Sequence, residues 1–258
     1  FPYTTLFRST ALAKVRPYMP QFICSSPPSS GTGGAFSLRC FMSNKAVVVI
    51  DYQNMHLTAV DVFGDKNKAF DSLLDPVLFS ETLIKERNSR QRSISTHVVL
   101  DSIIVCRGLP SNIHDPRKYA RNLAQASHWS RDPRVTVLHR PIKYTFEHQE
   151  WDPSSKTIKP LAKISKRQEK GVDVLCALQL VKAALNPEIG HVILASQDTD
   201  LVPALDEVIS LRKANAETAA WYLPGDHRSR EIRPELKAIW NTRLNESNYF
   251  ASLDRNTY

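Results

Sequence analysis

Four aspartates stand where chain geometry can bring carboxylates together: Asp51, Asp173, Asp198 and Asp200. Asp51 directly follows one apolar run and Asp198 closes another after Ser196 and Gln197, as expected at the carboxyl ends of parallel strands, where α/β proteins bind ligands. Converging carboxylates repel one another unless a cation neutralises them. Oxygen ligands without a nearby His or Cys favour Mg²⁺ or Mn²⁺ over zinc. The four acids therefore predict a divalent-metal site, whose bound water would attack a phosphodiester.

Each of these polar residues also has a plain structural alternative. Asp200 could cap the helix that follows it, and Asp173 could complement the dipole of its own helix. Asp51 and Asn54 could be turn residues. Asn54 is also suited to orient a water or a ligating carboxylate, and Ser196 to donate to a phosphate or to Asp51. Their joint position at one edge of the predicted sheet favours the functional interpretation.

A basic segment between residues 144 and 170 is the second indication of function. Its cations are Lys156, Lys159, Lys163, Lys166, Arg167 and Lys170, with Tyr144, Phe146 and Trp151 among or before them. Cations interleaved with aromatic rings suit single-stranded nucleic acid, although a charge run alone is more often a solvated loop. Because the segment leads into Asp173, we expect substrate binding by Lys163, Lys166, Arg167 and Lys170.

The distribution of the cations along the chain, more than their total charge, supports a polyanionic partner. Of the formal charge of +8, residues 1–43 contribute four cations and no acid, which leaves +4 for the rest. A second, weaker basic cluster surrounds the end of the second predicted strand: Arg107, Arg117, Lys118 and Arg121. Clustered cations raise the local attraction for a polyanion even when the total charge is modest.

The elements that must position these residues alternate apolar runs with helical segments, which is typical of βαβ units and a mostly parallel sheet. Strands are predicted at 47–50, 97–106, 135–138, 191–195 and 218–223. Helices are predicted at 76–87, 116–129, 172–185, 202–211 and 234–240. Asp75 and Asp115 are predicted to cap the first two helices, and Tyr119, Leu123 and Ala126 to form one stripe of the second. The stretch 144–169 shows no period, which indicates a functional or mobile insertion.

Cysteine and tryptophan positions indicate the core and the compartment. The four cysteines have no C-x-x-C spacing, which favours a reducing cytoplasm over a disulfide framework. Cys106 and Cys176 are predicted to be buried thiols. Trp129, Trp221 and Trp240 are predicted to be core residues because they stand at element ends beside apolar stripes.

The 258-residue chain is interpreted as one α/β domain with flanking segments. Residues 1–43, rich in Ser, Pro and Gly, are predicted to be a disordered or extraneous leader. Residues 44–225 form the domain, and residues 226–258 are expected to be an extension packed on it. No run approaches the roughly 18 apolar residues of a membrane span, so we expect no membrane partner.

Three motifs in this order resemble the acidic motifs of the NYN domain, a branch of the PIN-like nucleases: VVVIDYQN, KGVDVLCALQL and VILASQDTDLVPALDEV. The resemblance covers roughly residues 45–223, and the segments CRGLPSNIHDPRKYARNL and AIWNTRL are similar to a bacterial subgroup. It implies a PIN-like three-layer α/β/α sandwich whose mostly parallel, five-stranded sheet has the order 3-2-1-4-5. It also implies Mg²⁺ or Mn²⁺ as cofactor and RNA as substrate.

Carried over onto this sequence, the resemblance assigns the family's acids to Asp51, Asp173, Asp198 and Asp200, and its first-motif asparagine to Asn54. The last motif departs from the usual Ser-Gly-Asp-Ser-Asp-Phe, since Gln197, Thr199 and Leu201 replace three of its residues. Gln197 in place of glycine would narrow the approach of a phosphate.

The function predicted from the sequence is a metal-dependent ribonuclease that cleaves single-stranded RNA. The alternative is a non-catalytic RNA-binding or regulatory module with the same fold, and self-association stays open for both. Phosphotransfer is disfavoured: a phosphatase needs an acid where Gln53 stands, and a receiver needs its phosphoacceptor where the third strand leads into His139, Arg140 and Pro141.

Overall fold

The computed structural model describes residues 44–64, 72–146, 149–160, 164–226 and 231–258, with the backbone alone at 149–151 and 158–160. These described residues contain ten strands: β1 (Lys45–Asp51), β2 (Val99–Leu109), β3 (Val135–Pro141), β4 (Lys143–Phe146), β5 (Gln149–Asp152), β6 (Thr157–Pro160), β7 (Ile164–Gln168), β8 (His191–Ala195), β9 (Asn215–Trp221) and β10 (Trp240–Leu244). The predicted leader, residues 1–43, and Lys163 lie outside the described residues.

In the part of the chain that the structure describes, six α-helices connect or flank the strands: α1 (Tyr52–Phe63), α2 (Pro76–Ser89), α3 (Pro116–Trp129), α4 (Val172–Ala184), α5 (Val202–Leu211) and α6 (Glu246–Ala251). Short 3₁₀ helices lie at Ile94–Thr96 and Thr199–Leu201. The predicted cap of α2 is confirmed, because the Asp75 carboxylate accepts from the backbone N–H groups of Val77 and Leu78 at 2.8 and 2.9 Å. Asp115 is the N-cap residue of α3, as predicted, but its side chain makes no capping hydrogen bond and pairs instead with Arg167 at 2.7 Å.

The central sheet is parallel and has helices on both faces. Its hydrogen-bonded order is β10-β9-β8-β1-β2-β3. The central strand β1 is buried from Ala46 onward, as expected of an aliphatic strand covered on both sides. Val48 and Ile50 pack towards α1, α2 and α6, whereas Val47 and Val49 pack towards α4 and α5. The predicted α/β class with a mostly parallel sheet flanked by helices is confirmed.

The predicted count of five strands and the order 3-2-1-4-5 are wrong in detail, because β10 adds a sixth strand beyond β9. The helix predicted at 234–240 is absent from that segment, and its last residue, Trp240, begins β10. Thr242 and Leu244 become buried there, at 0 % and 1 % exposure, by pairing against the otherwise open edge of β9. Trp240 itself is 38 % exposed, so its predicted core position is wrong, whereas Trp129 and Trp221 are confirmed as buried.

The stretch 144–169, in which no period is visible, contains regular structure. β4 pairs antiparallel with β7, and β5 pairs antiparallel with β6. The turn between β5 and β6 is organised by Asp152, whose carboxylate accepts from the backbone N–H of Ser154 at 3.1 Å and from the Ser155 hydroxyl at 2.9 Å. β4 and β7 are only four and five residues long, and such short strands give a weak periodic signal in a sequence.

Helix α3 turns a polar face inward, contrary to the predicted stripe of Tyr119, Leu123 and Ala126. Its buried residues are Asn122, Gln125 and Trp129, and Leu123 is 38 % exposed. The amide of Asn122 donates to the Gly108 carbonyl of β2 at 3.1 Å, and Gln125 accepts from Arg107 at 3.0 Å. Hydrogen bonds to β2 therefore replace part of the apolar contact that periodicity predicts.

Two further observations bear on the predicted core and on membranes. Cys106 and Cys176 are both fully buried, as predicted. Within the described ranges, no helix has the length and apolar composition required to cross a bilayer.

Candidate functional site

Asp51 lies at the carboxyl end of the central strand, where β1 passes directly into α1. Its carboxylate is 6 % exposed and serves as the N-cap of α1, accepting from the backbone N–H of Asn54 at 3.4 Å. The hydroxyl of Ser196, which follows β8, donates to Asp51 Oδ2 at 3.1 Å. Asn54 Oδ1 in turn accepts from the backbone N–H of Gln197 at 2.9 Å. These bonds join the ends of the neighbouring strands β1 and β8.

Asp51 lies in an environment that opposes its ionisation. Burial raises its pKa to about 6, and hydrogen bonds from Asn54 and Ser196 only partly offset this effect. The carboxylates of Asp198 and Asp173 raise the pKa further. Three of the four predicted acids are therefore close enough to interact through their charges.

Asp198 and Asp200 have different roles after β8. Asp198 caps the 3₁₀ helix by accepting from the backbone N–H of Asp200 at 3.0 Å, and its own N–H donates to Ser196 Oγ at 3.1 Å. Asp200 is exposed. The alternative in which Asp200 caps the next helix is wrong, because α5 has no side-chain cap and its N-cap residue is Leu201.

Asp173 approaches this edge from the first turn of α4. The helix begins after Gly171, which adopts φ +75 as the N-cap residue. Glycine takes this left-handed conformation without strain, so the backbone at position 171 favours glycine over other residues. Asp173 is half-buried, and its place in the first turn also complements the helix dipole.

Glu169 is an acid of this site that the sequence interpretation missed. Its carboxylate accepts from the backbone N–H of Gly108 at 3.1 Å. With the nitrogen of its side-chain amide turned towards Glu169, Gln53 donates to the same carboxylate at 3.0 Å. Burial and the nearby Asp51 carboxylate raise its pKa, while Arg107 lowers it. A visible signal was an acid at the end of the basic segment, four residues before Asp173.

Gly108 is required for this placement of Glu169. A Cβ atom at position 108 would overlap the Glu169 carboxyl group. The absence of a side chain lets the carboxylate approach the β2 backbone closely enough to accept its N–H.

The aspartate oxygens at this edge are ligands of the type that hard cations prefer, although they are not arranged as a closed metal site. In the part of the chain that the structure describes, no group of three or more His, Cys, Asp or Glu side chains is arranged to hold a metal ion. Asp51, Asp173 and Asp198 are nevertheless oxygen donors, the last two raise the pKa of Asp51, and a divalent cation would reverse that effect. The side chains fit Mg²⁺ or Mn²⁺ in type.

The predicted substrate-binding cations are distributed along β7 and the residues after it. Lys166 and Lys170 are exposed, and Lys156 is exposed in the turn before β6. Arg167 is held by Asp115, with guanidinium–carboxylate distances of 2.7 and 3.2 Å.

The predicted aromatic partners of these cations are engaged with other residues. The rings of Tyr144 and Phe146 contact His114, at centroid distances of 5.2 and 4.9 Å. The Tyr144 hydroxyl accepts from the backbone N–H of Ser111 at 3.0 Å. The side chain of Trp151 lies outside the described residues. No free stacking platform is formed by Tyr144 and Phe146.

A cavity of about 610 Å³ lies between α1, α3 and the end of β2. We call it the basic pocket, because its wall contains five cations and one acid: Arg107, Arg117, Lys118, Arg121, Arg167 and Glu169. The second, weaker cluster seen in the sequence thus lines one cavity together with Arg167 of the basic segment. Gln53 and Glu169 belong to its wall and connect it to the surroundings of Asp51.

Comparison with known proteins leaves the family of the chain open. No protein-family model and no curated protein matches the sequence. A solved structure of a protein of unknown function from Vibrio parahaemolyticus is similar over 69 % of this chain and 82 % of its own, with 18 % identity and a TM-score of 0.37.

Proposed function

We propose that the protein is a metal-dependent ribonuclease that hydrolyses phosphodiester bonds at the carboxyl edge of its sheet. The observation that carries this proposal is the buried carboxylate of Asp51, whose pKa is raised by burial and by the charges of Asp198 and Asp173. Perturbed carboxylates at a sheet edge are typical of functional sites, because stability alone does not favour them. The adjacent basic pocket and exposed lysines suit a polyanionic substrate.

In this proposal Asp51, Asp173 and Asp198 hold Mg²⁺ or Mn²⁺. The cation, when bound, lowers the pKa of a water and neutralises charge on the phosphodiester. Ser196 and Asn54 keep Asp51 and the chain after β8 in place through the bonds described above. Lys166 and Lys170 attract the nucleic-acid backbone from the exposed side.

Asp200 and Glu169 add to these roles. Asp200, exposed next to Asp198, is available to approach a cation from solvent. The raised pKa of Glu169 lets its carboxyl group hold a proton closer to neutral pH than an ordinary glutamate does.

We also propose that the domain is a divergent NYN domain with a PIN-like fold. Its three acidic motifs bring Asp51, Asp173 and Asp198 to one sheet edge, which supports the resemblance. Gln197 replaces the usual glycine of the last motif, and its backbone N–H is bound to Asn54. This bond links the first and last motifs.

Cleavage assays on single-stranded RNA with Mn²⁺, Mg²⁺ or EDTA test the proposal. We expect metal-dependent cleavage that falls at least about 100-fold in Asp51→Asn and Asp198→Asn, because each removes a charged ligand. Glu188→Gln is a matched control, since Glu188 is an exposed acid in the loop before β8, at the opposite end of that strand. Cleavage that persists unchanged in both aspartate variants would refute the assignment.

Binding without cleavage is the second candidate function, and the basic pocket favours it because its cations can hold phosphate without a metal. This candidate predicts RNA binding whose affinity falls steeply with salt, with no turnover in either metal. The same assay, combined with a binding titration at two salt concentrations, separates it from the nuclease.

A further inference from the structure

We propose that the basic pocket binds a terminal phosphomonoester of the nucleic acid and thereby places the end of the chain beside Asp51. The inference deepens the proposed function, on which its account of the substrate rests. It concerns cations that lie outside the acidic motifs, and it predicts that they give the protein a preference for one kind of RNA end.

Arg107 is the cation at the base of the pocket. Its guanidinium stands 4.7 Å from the ring centroid of Tyr52 and 5.1 Å from that of Trp129, and it donates to Gln125 at 3.0 Å. These partners are two rings and a neutral amide, with no carboxylate bound to the guanidinium among the described residues. Glu169 acts on Arg107 through charge alone, while its oxygens accept from Gly108 and Gln53.

Partial burial of Arg107 without a bonded anion is costly for the free protein. Burial lowers the pKa of its guanidinium, which expresses the loss of hydration of the charged form. An anion in the cavity would restore that interaction, and arginine matches phosphate oxygens with its planar set of donors.

Helix α3 adds three cations to the same cavity. Arg117, Lys118 and Arg121 all line it, although like charges at positions i and i+4 weaken an isolated helix. The face is held in position by Asn122, which donates to the Gly108 carbonyl and contacts His139 Nε2 at 2.9 Å. The three cations and Arg107 line one cavity, and this concentration of positive charge suits a multiply charged anion.

The charge and the volume of the cavity favour a chain end over an internal linkage. A phosphomonoester carries close to two negative charges at neutral pH and three free oxygens, whereas an internal phosphodiester carries one charge. Apolar and aromatic residues complete the wall: Tyr52, His56, Leu57, Leu73, Pro110 and Ile142. A volume of about 610 Å³ is within the range of small-ligand pockets and accommodates a nucleoside with its phosphate.

The position of the pocket connects end recognition to cleavage. Glu169 and Gln53 line the cavity, and the carboxylate of Glu169 is close enough to Asp51 for their charges to interact. A terminal nucleotide bound there would leave its first linkage pointing to the acidic edge of the sheet. The protein would then prefer to act near a phosphorylated end.

Binding to matched RNAs in EDTA tests the inference without cleavage. One short single-stranded sequence with an internal fluorophore is prepared with a 5′-phosphate, with a 3′-phosphate or with hydroxyls at both ends, and anisotropy gives each Kd. We expect one phosphorylated form to bind at least about 10-fold more tightly than the hydroxyl form, as charge-assisted hydrogen bonds contribute on this scale. The preferred end identifies which terminus the pocket accepts.

Substitutions of the pocket arginines test whether the pocket causes the preference for a phosphorylated end. Arg117→Gln and Arg121→Gln should reduce it to less than about 3-fold, and Arg107→Met should abolish it. Arg117 is exposed, so its replacement tests the pocket without disturbing the interior. The matched control Lys182→Gln, in the last turn of α4, should preserve the preference.

Equal affinity for all three RNAs, no measurable binding, or a preference that survives both Arg117→Gln and Arg121→Gln would each overturn the inference. Its failure is distinguishable from failure of the proposed function. Metal-dependent cleavage without end preference would leave the nuclease and remove the pocket assignment. End preference without cleavage would support the pocket assignment and refute the nuclease.

Discussion

Asp51 buries a carboxylate at the point where β1 turns into α1. Its pKa of about 6, against an ordinary value of 3.8, corresponds to a free-energy cost on the order of 3 kcal/mol once the group is ionised. The cost appears as pH rises from about 4 to 6, because the folded protein then has to ionise a group that it holds protonated more strongly than the unfolded chain does. The metal-free protein should therefore lose stability over this interval.

Asp51→Asn should make the metal-free protein more stable at pH 7.5, by about 1–3 kcal/mol, because the amide can keep the hydrogen bonds without the charge. The gain should largely disappear at pH 4, where the wild-type carboxyl group is protonated. Urea unfolding in EDTA at the two pH values measures the difference. A variant that is less stable than wild type at pH 7.5 would contradict the proposed cost of the Asp51 charge.

Gly108→Ala should displace Glu169 while leaving the fold intact. The added methyl group would overlap the carboxyl group of Glu169, which lies at the end of a movable side chain. We expect cleavage to decrease about 10-fold or more, as for loss of a group that orients a site, with a change in unfolding free energy below about 1 kcal/mol. Glu169→Gln provides the comparison, and full activity in both variants would exclude a role for Glu169.

At the scale of elements, a buried ion pair links α2 to the sheet. Arg87 of α2 and Glu217 of β9 are 4 % and 3 % exposed, and their closest charged atoms are 2.8 Å apart. His191 of β8 contacts the same carboxylate at 2.9 Å through Nδ1. Burial opposes ionisation of Glu217, but bonds with His191 and Arg87 outweigh it and hold its pKa below the ordinary value.

Glu217→Gln should destabilise the protein by about 3–5 kcal/mol at pH 7, because it leaves the Arg87 charge buried without its partner. A lowered folded-state pKa means that the contribution is complete above about pH 4.5 and is lost as pH falls through the lower, folded-state value. The difference between variant and wild type should therefore shrink towards pH 3. Chemical unfolding at pH 7 and pH 3 measures it, with the more exposed Glu86→Gln as control.

At the scale of the whole molecule, the C-terminal residues complete both the sheet and the core. β10 covers the edge of β9, and the side chain of Tyr249 in α6 is 1 % exposed within the core shared with α1 and α2. Trp129 Nε1 of α3 donates to Asp254 at 2.9 Å. Asp254 is therefore bound to the helix that precedes β3, the edge strand opposite β10.

Tyr249→Ala should lower the free energy of unfolding by about 3–5 kcal/mol, as expected for loss of a large buried ring. Phe250→Ala, on the same helix, should change it by less than about 1 kcal/mol, since Phe250 is 53 % exposed. Thermal and urea unfolding of both variants measures how tightly the C-terminal segment is bound. Equal, small effects would show that this segment contributes little to the core.

Local signals in the sequence determined the elements that are long or strongly apolar. The bounds predicted for the strand at 191–195 and for the helices at 116–129 and 202–211 are those observed. The position of Asp51 followed from the aliphatic run before it, because a continuous apolar strand ends where the first charge appears. These features depend on residues that are adjacent in the chain, so they can be predicted from the sequence.

Tertiary structure alone decided the partners that lie across elements. β10 is a short, largely polar strand whose existence depends on the open edge of β9, and the inward face of α3 is polar because Gly108 and Arg107 bond to it. The same holds for the acids. Glu169 interacts with Asp51 through charge, because residues distant in the chain share an electrostatic field only after the fold has brought their side chains together.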